Sequence, residues 1–323
     1  MFIHVPQRSA CSPRTFLVSR SQFARARIEA RLVWRYVHSS TGRNPWGIAM
    51  LLSRGDIRCG YYRVLRNTLY ALLERDGSTL PDILALYTDE KYRREVVRGI
   101  KNEVVKRFWT DEFENYPARM RAEACAPIQN KLGALLSDPT LHRILVAPTI
   151  DLHFRKLMDE GQILLVNVSK GRLGEQSALV LGSLIVSTIG LAAFSRAETP
   201  NDARRPFILY LDEFHNFTTL MLASMMSELR KYGVGLVLAH QYMHQLEPDI
   251  RHAVLGNAGT LISFRVGAED APYLAKEIQP TFDVADLINL PNYNIYLKLM
   301  IDGAPSKPFS GKTSWWDAQT GVQ

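Results

Sequence analysis

Hydrophobic residues fall into two patterns along this chain of 323 residues. From residue 61 to about 160 they recur every three or four positions. Beyond that they arrive in unbroken runs. Val64, Leu65, Leu69, Leu72 and Leu73 mark one helical face, and Val104, Val105 and Phe108 continue the same period. Further helical pieces are predicted over 119–136, where Pro127 should kink or split the helix, and over 141–146. Pro81, Pro117, Pro139 and Pro148 punctuate the connections. The expectation is an all-α subdomain over residues 61–160.

The runs begin with Ile163 to Val168, continue with Phe207 to Leu211, and return at Val234 to Ala239. Apolar residues in a row, without alternation, predict strands buried on both faces, as in a parallel sheet wrapped by helices. Between the second and third runs, Met221, Leu222, Met225, Met226 and Leu229 form a stripe that predicts a helix over 218–231, closed by Gly233. A further strand is predicted over 260–266, after a short helix over 248–255. A helix over 268–278 and a hairpin around Asp302-Gly303 follow. One stretch, Gln176 to Ser195, is uncharged and as long as a membrane span. Its five Ser or Thr, its two Gly and its place between predicted strands predict a buried crossover helix instead. The expected fold is α/β: a mostly parallel sheet flanked by helices, with the all-α subdomain inserted and the core over 161–323.

Two carboxylates, Asp212 and Glu213, stand at the C-terminal end of the second run, the edge where open α/β sheets place ligands. Nucleotide hydrolysis needs such a pair there, one to hold the water shell of Mg²⁺ and one to orient or deprotonate the attacking water. A strand leaving into solvent through two acids has the same sequence. Gln241 ends the next run, and a right-handed crossover would bring it to the same edge, where an amide can report a γ-phosphate. Arg230 ends the intervening helix; a guanidinium at a subunit edge can stabilise phosphoryl-transfer charge in a neighbouring copy. Arg265 is either a second such finger or half of a surface pair with Glu269 or Asp270. Lys170 and Arg172 flank Gly171 ahead of a helix, a loop that could cradle an anion, contact DNA or another subunit, or simply be a solvated turn.

The segments YLDEFHNF, LRKYGVGLVLAHQY and GNAGTLISFRVGAEDAPYLAKE resemble the C-terminal motor half of the HerA/FtsK superfamily. They look most like the type IV secretion coupling proteins (TraG/TraD-like) and DUF87-type ATPases. The likeness spans about residues 61–313 and is strongest over 162–309. It implies a RecA-like fold in which Asp212 and Glu213 end the Walker B strand. Asp212 would hold Mg²⁺ through water, Glu213 would activate water, Gln241 would sense phosphate, and Arg230 would be the arginine finger. It also implies ATP and Mg²⁺ as cofactors, DNA as cargo, a hexameric ring of identical copies and type IV secretion components as partners. Family members carry a phosphate-binding loop upstream of the helical region, and nothing in residues 1–60 matches one. The chain is therefore expected to hydrolyse ATP weakly or not at all alone. The alternatives are a non-catalytic ring subunit and a secretion-platform adaptor.

Charge changes this picture in one respect. The net charge is +7, but residues 1–60 hold ten Arg against two acids, leaving −1 for the remaining 263. Bulk charge therefore gives the core no argument for DNA; contacts must come from local loops. The basic leader has an amphipathic helix predicted over 21–38, which could bind nucleic acid or an acidic membrane; the favoured reading is an ill-ordered or foreign segment, as a truncated or frame-shifted gene start would produce. Three Cys without metal-type spacing suggest a reducing compartment, and the opening residues lack a secretory signal. A cytoplasmic protein is expected, brought to the inner face of the membrane by partners and without a span of its own. Two motifs are decoys. Gly311-Lys312-Thr313 lacks the earlier glycine of a phosphate loop, and His240 and His244 have zinc-protease spacing without its glutamate.

Overall fold

The computed structural model describes residues 2–4, 59–146, 153–217 and 220–314, in two compact units divided between residues 198 and 199. The leader helix predicted over 21–38 lies outside the described residues.

One unit, described over residues 59–146 and 153–198, is built of helices, with no strand among its described residues. Its helices are α1 (Cys59–Leu73), α2 (Leu80–Thr88), α3 (Glu90–Gly99), α4 (Glu103–Arg107), α5 (Ala118–Ser137), α6 (Pro139–Val146), α7 (Phe154–Glu160), α8 (Lys170–Leu173) and α9 (Glu175–Phe194). The predicted stripe of α1 is the buried one, since Val64, Leu65, Leu69 and Leu72 have no exposed surface. A π-turn, Phe108–Phe113, follows α4. Its wider i→i+5 spacing turns Phe108 and Phe113 to one side, with ring centroids 6.2 Å apart. Trp109 packs 4.7 Å from Phe113 and edge-on to Phe108, and its indole N–H reaches the Asn67 carbonyl at 3.4 Å.

Arg93 is buried in the same cluster. Its guanidinium donates to Glu114 at 2.8 Å and to the Leu86 carbonyl at 3.1 Å, so the charge does not enter the core unanswered. Burial pushes the Cys125 thiol up to about 11, the signature of an inert packing cysteine.

Three expectations are corrected in this unit. Helix α5 runs through Pro127 unsplit. Ile163 to Val168 is not a strand, and most of it is exposed, with Leu165 61% accessible. An apolar run becomes a strand only where neighbours take its backbone N–H and C=O groups. Among the described residues none does. The uncharged stretch is α9, among the described residues the one helix long and apolar enough to cross a membrane, and it is mostly buried in the protein. Because 163–168 is not a strand, α9 is a core helix without being the predicted strand-to-strand crossover.

The other unit is a sheet with helices. Its strands are β1 (Phe2–His4), β2 (Phe207–Leu211), β3 (Val234–Leu238), β4 (Thr260–Ser263), β5 (Asn294–Lys298), β6 (Met300–Ile301), β7 (Ala304–Pro305) and β8 (Phe309–Lys312). Six of them form one sheet in the order β2-β3-β1-β4-β5-β8. β2, β3, β4 and β8 point the same way, although only β2 and β3 are bonded as parallel neighbours; β1 and β5 run against their partners. The helices are α10 (Leu220–Glu228), α11 (Pro248–Asn257), α12 (Ala271–Ile278) and α13 (Val284–Asn289).

Helix α10 closes as predicted. A tight turn, Leu229–Tyr232, leads to Gly233 in the left-handed region, φ 73°, where a side chain would be strained. β3 is buried at every position. β4 is shorter than its apolar pattern, because only Leu261 to Ser263 find partners on β5 and the chain then peels away from the sheet. The β6–β7 hairpin turns on Asp302 and Gly303, both at positive φ, and β8 returns beside β5. Gly311 lies in that β8 ladder, where an added Cβ would come within 3.0 Å of Leu297, so the glycine serves strand packing.

Candidate functional site

Parallel register builds the site. β2 and β3 pair residue for residue from Phe207↔Val234 to Leu211↔Leu238, so both chains leave the sheet at the same height. The ladder extends one step further, with Ala239 N–H donating to the Leu211 carbonyl (2.9 Å) and Phe214 N–H to the Ala239 carbonyl (3.1 Å). Phe214, with no exposed surface, is driven inward beneath this step, and the chain between Leu211 and Phe214 must turn sharply. Glu213 takes up that turn at φ 49°, a left-handed conformation that costs a non-glycine residue about 1–3 kcal/mol. Asn216 holds it, donating from both its backbone and its side chain to the Glu213 carbonyl at 3.0 and 3.1 Å.

The result is a small polar cluster. Gln241 Nε2 donates to Glu213 Oε1 at 2.6 Å, and His215 Nδ1 lies 3.4 Å from Glu213 Oε2. Asp212 is exposed beside them, its Oδ1 accepting the Glu213 backbone N–H at 3.1 Å. His215 had no part in the sequence reading; its only signal was a position two residues after the acidic pair.

Arg230 does not join the cluster. It sits on the exposed turn that precedes β3, whereas Gln241 follows that strand, so the two lie at opposite ends of it. Five strand residues separate those ends by about 16 Å. Asp212, Glu213 and Gln241 thus share one rim within one copy, and Arg230 does not. Chain direction alone requires this, since a residue before a strand and one after it cannot share an edge.

Arg265 is exposed and forms no ion pair among the described residues. The pairing with Glu269 or Asp270 fails because Asp270 is buried and otherwise engaged. Its carboxylate accepts the backbone N–H groups of Met243 (2.9 Å) and His244 (3.0 Å). Asp270 thereby anchors the loop that follows Gln241. It stands at the N-terminal end of α12 without capping it, and nothing local predicts a partner 27 residues away. Lys170 and Arg172 belong to the helical unit, on the short helix α8; Lys170 pairs with Glu175 at 3.2 Å.

His240 packs edge-on against Phe214, ring centroids 4.9 Å apart, and burial pulls its imidazole down to about 4. A histidine held below its ordinary value near 6.5 resists protonation only while folded. Stability should therefore be constant above pH 6.5 and fall as pH drops from 6.5 toward 4. His240→Gln should flatten that part of the profile, as urea titrations at stepped pH would show.

The donor set bears on which ion could sit here. No group of three His, Cys, Asp or Glu able to hold a metal occurs among the described residues. A single exposed carboxylate suits Mg²⁺, which keeps most of its waters and takes the rest of its shell from a bound phosphate. Asp212 fits that outer role, whereas the Glu213 carboxylate is engaged by Gln241 and His215.

Comparison with known proteins bears on the fold. Residues 206–278 match the family model TraG-D_C, described as the TraM recognition site of TraD and TraG. No curated protein sequence matches the chain. Among solved structures, it resembles the bacterial conjugative coupling protein TrwBdeltaN70 in unbound form, with TM-score 0.59 and 14% identity over 84% of this chain and 69% of that one. TrwB with the ATP analogue ADPNP gives TM-score 0.59 and 15% identity, over 84% and 68%. TrwB with ADP and Mg²⁺ gives 0.59 and 14%, over 86% and 71%. The chain is thus TraG/TraD-like: it has the fold of a conjugative coupling protein, and the matched segment contains the whole Asp212–Glu213–Gln241 cluster.

Proposed function

We propose that this chain is the motor part of a ring-forming, DNA-translocating ATPase of the coupling-protein kind, with residues 61–160 as its inserted helical subdomain. The observation that carries the reading is the contact between Gln241 and Glu213 at the shared exit of β2 and β3. It supports the reading because an amide, a carboxylate and the neighbouring Asp212 stand together at the strand edge where open α/β sheets take ligands. TrwB has been solved with nucleotides and Mg²⁺, which supports ATP and Mg²⁺ here.

In this assignment Asp212 orders the water shell of Mg²⁺, and the ion would supply charge neutralisation at the phosphates. Glu213 accepts the proton of the attacking water. Gln241 now donates to Glu213, so its amide must leave that carboxylate to contact phosphate, which couples sensing to release of the base. Arg230, at the far end of β3, serves a neighbouring copy's site. Arg265 is a second finger or a DNA or subunit contact, as are Lys170 and Arg172.

Backbone amides and the lysine of a phosphate loop supply much of the grip on a triphosphate, and this sequence holds no such motif. Steady-state phosphate release by the chain alone should therefore stay at background, with or without DNA, and Glu213→Gln should change nothing. Mixed with a homologue that carries the loop, the chain should raise hydrolysis, and Arg230→Ala should remove the increase. Robust turnover by the chain alone, abolished by Glu213→Gln, would overturn the expected incompetence. No stimulation in the mixture would count against the ring assignment.

The second reading, an adaptor that binds a protein partner, is favoured by the description of the matched segment as a TraM recognition site. In that case the mixture gains no hydrolysis, and the chain co-migrates with a partner protein instead.

A further inference from the structure

Next to the polar cluster, the ends of β3 and β4 enclose an open cleft of about 610 Å³. Two successive residue pairs form its walls in the same way. After β3, Met243 turns inward and is buried while Tyr242 before it is 48% exposed. At the end of β4, Ser263 is buried and Phe264 is likewise 48% exposed. Both turns are pinned. The Asp270 carboxylate holds the Met243 and His244 amides, and Ser263 Oγ donates to the Phe264 carbonyl at 2.8 Å. Two large apolar rings are thus kept in solvent by inward anchors beside them. Arg265 lines the same cleft, exposed and without an ion pair among the described residues, and Gln241 borders it.

We infer that this cleft binds a nucleotide unit, with Tyr242 and Phe264 offering ring faces to a base and Arg265 meeting its phosphate. Aromatic platforms bind bases without regard to sequence, because each base has a π-face, and a guanidinium tracks the backbone. Within the near-neutral core, any grip on nucleic acid has to come from such a local site. The inference rests on the proposed function and adds the residues that would hold the strand. A free nucleotide offers the same chemistry as one unit of a single strand, so the test must separate the two.

The full chain is titrated, at fixed low salt, with a fluorescein-labelled 20-mer of dT and separately with a fluorescent ADP analogue, both read by anisotropy. Tyr242→Ala and Phe264→Ala should each weaken binding of the 20-mer by roughly 5- to 150-fold. Phe264→Trp should restore it. Arg265→Ala should weaken it and flatten its salt dependence. Tyr210→Ala, a 67% exposed tyrosine on β2, is the control and should bind as the parent does. Weakening confined to the ADP analogue would assign the cleft to free nucleotide. Strand binding that survives all three cleft variants overturns the inference and leaves the motor reading intact. Absence of binding to either probe by the parent overturns both.

Discussion

Replacing Trp109 with alanine should cost the helical unit about 3–5 kcal/mol of unfolding free energy, the usual range for emptying a large aromatic site in a core. Trp109 is 1% exposed, touches Phe108 and Phe113, and belongs to a single cluster that draws on helices α1 to α5. Deleting the indole leaves a cavity between Phe108 and Phe113 at the centre of that cluster. Domains of this kind have only about 5–15 kcal/mol in total, so the loss is a large share. Urea unfolding followed by far-ultraviolet circular dichroism should show an early transition shifted to lower denaturant while the later one stays in place. A midpoint unchanged within error would mean that the cluster is not the core of this unit.

Asp270→Ala should act on the other unit. It removes the acceptor for two backbone amides, Met243 and His244, of which the first bond is fully buried. Hydrogen bonds to a charged group contribute about 1.5–3 kcal/mol each, and an orphaned buried donor retains its desolvation cost. A loss of about 2–5 kcal/mol is expected, together with loosening of the loop after Gln241. Hydrogen exchange should report faster labelling of amides 243 and 244. Asp270→Asn, which keeps one carbonyl acceptor, should restore part of the protection. Unchanged exchange at both amides in the alanine variant would refute the anchoring role.

The sequence by itself determined what depends on neighbours in the chain. The period of α1 is legible because a buried helical face repeats every three or four residues whatever it packs on. β2, β3 and the helix between them were legible too, and with them the polar cluster. One short connection between parallel strands brings Asp212, Glu213 and Gln241 to a common exit. The opposite placement of Arg230 was also implicit, since a residue before β3 and one after it lie at opposite ends.

Only the tertiary structure decided the rest, because strand pairing and buried polar partners are set between distant segments. Ile163 to Val168 has the composition of a strand, yet hydrophobicity does not bond backbone groups, and among the described residues no neighbouring strand takes them. β4 ends at Ser263 although the apolar pattern continues, because β5 pairs no further, and that early end frees Phe264 and Arg265 for the cleft. Asp270 stands at the N-terminal end of α12, but its carboxylate binds a loop 27 residues earlier. A sequence records what each side chain can bond; the fold decides which bond is within reach.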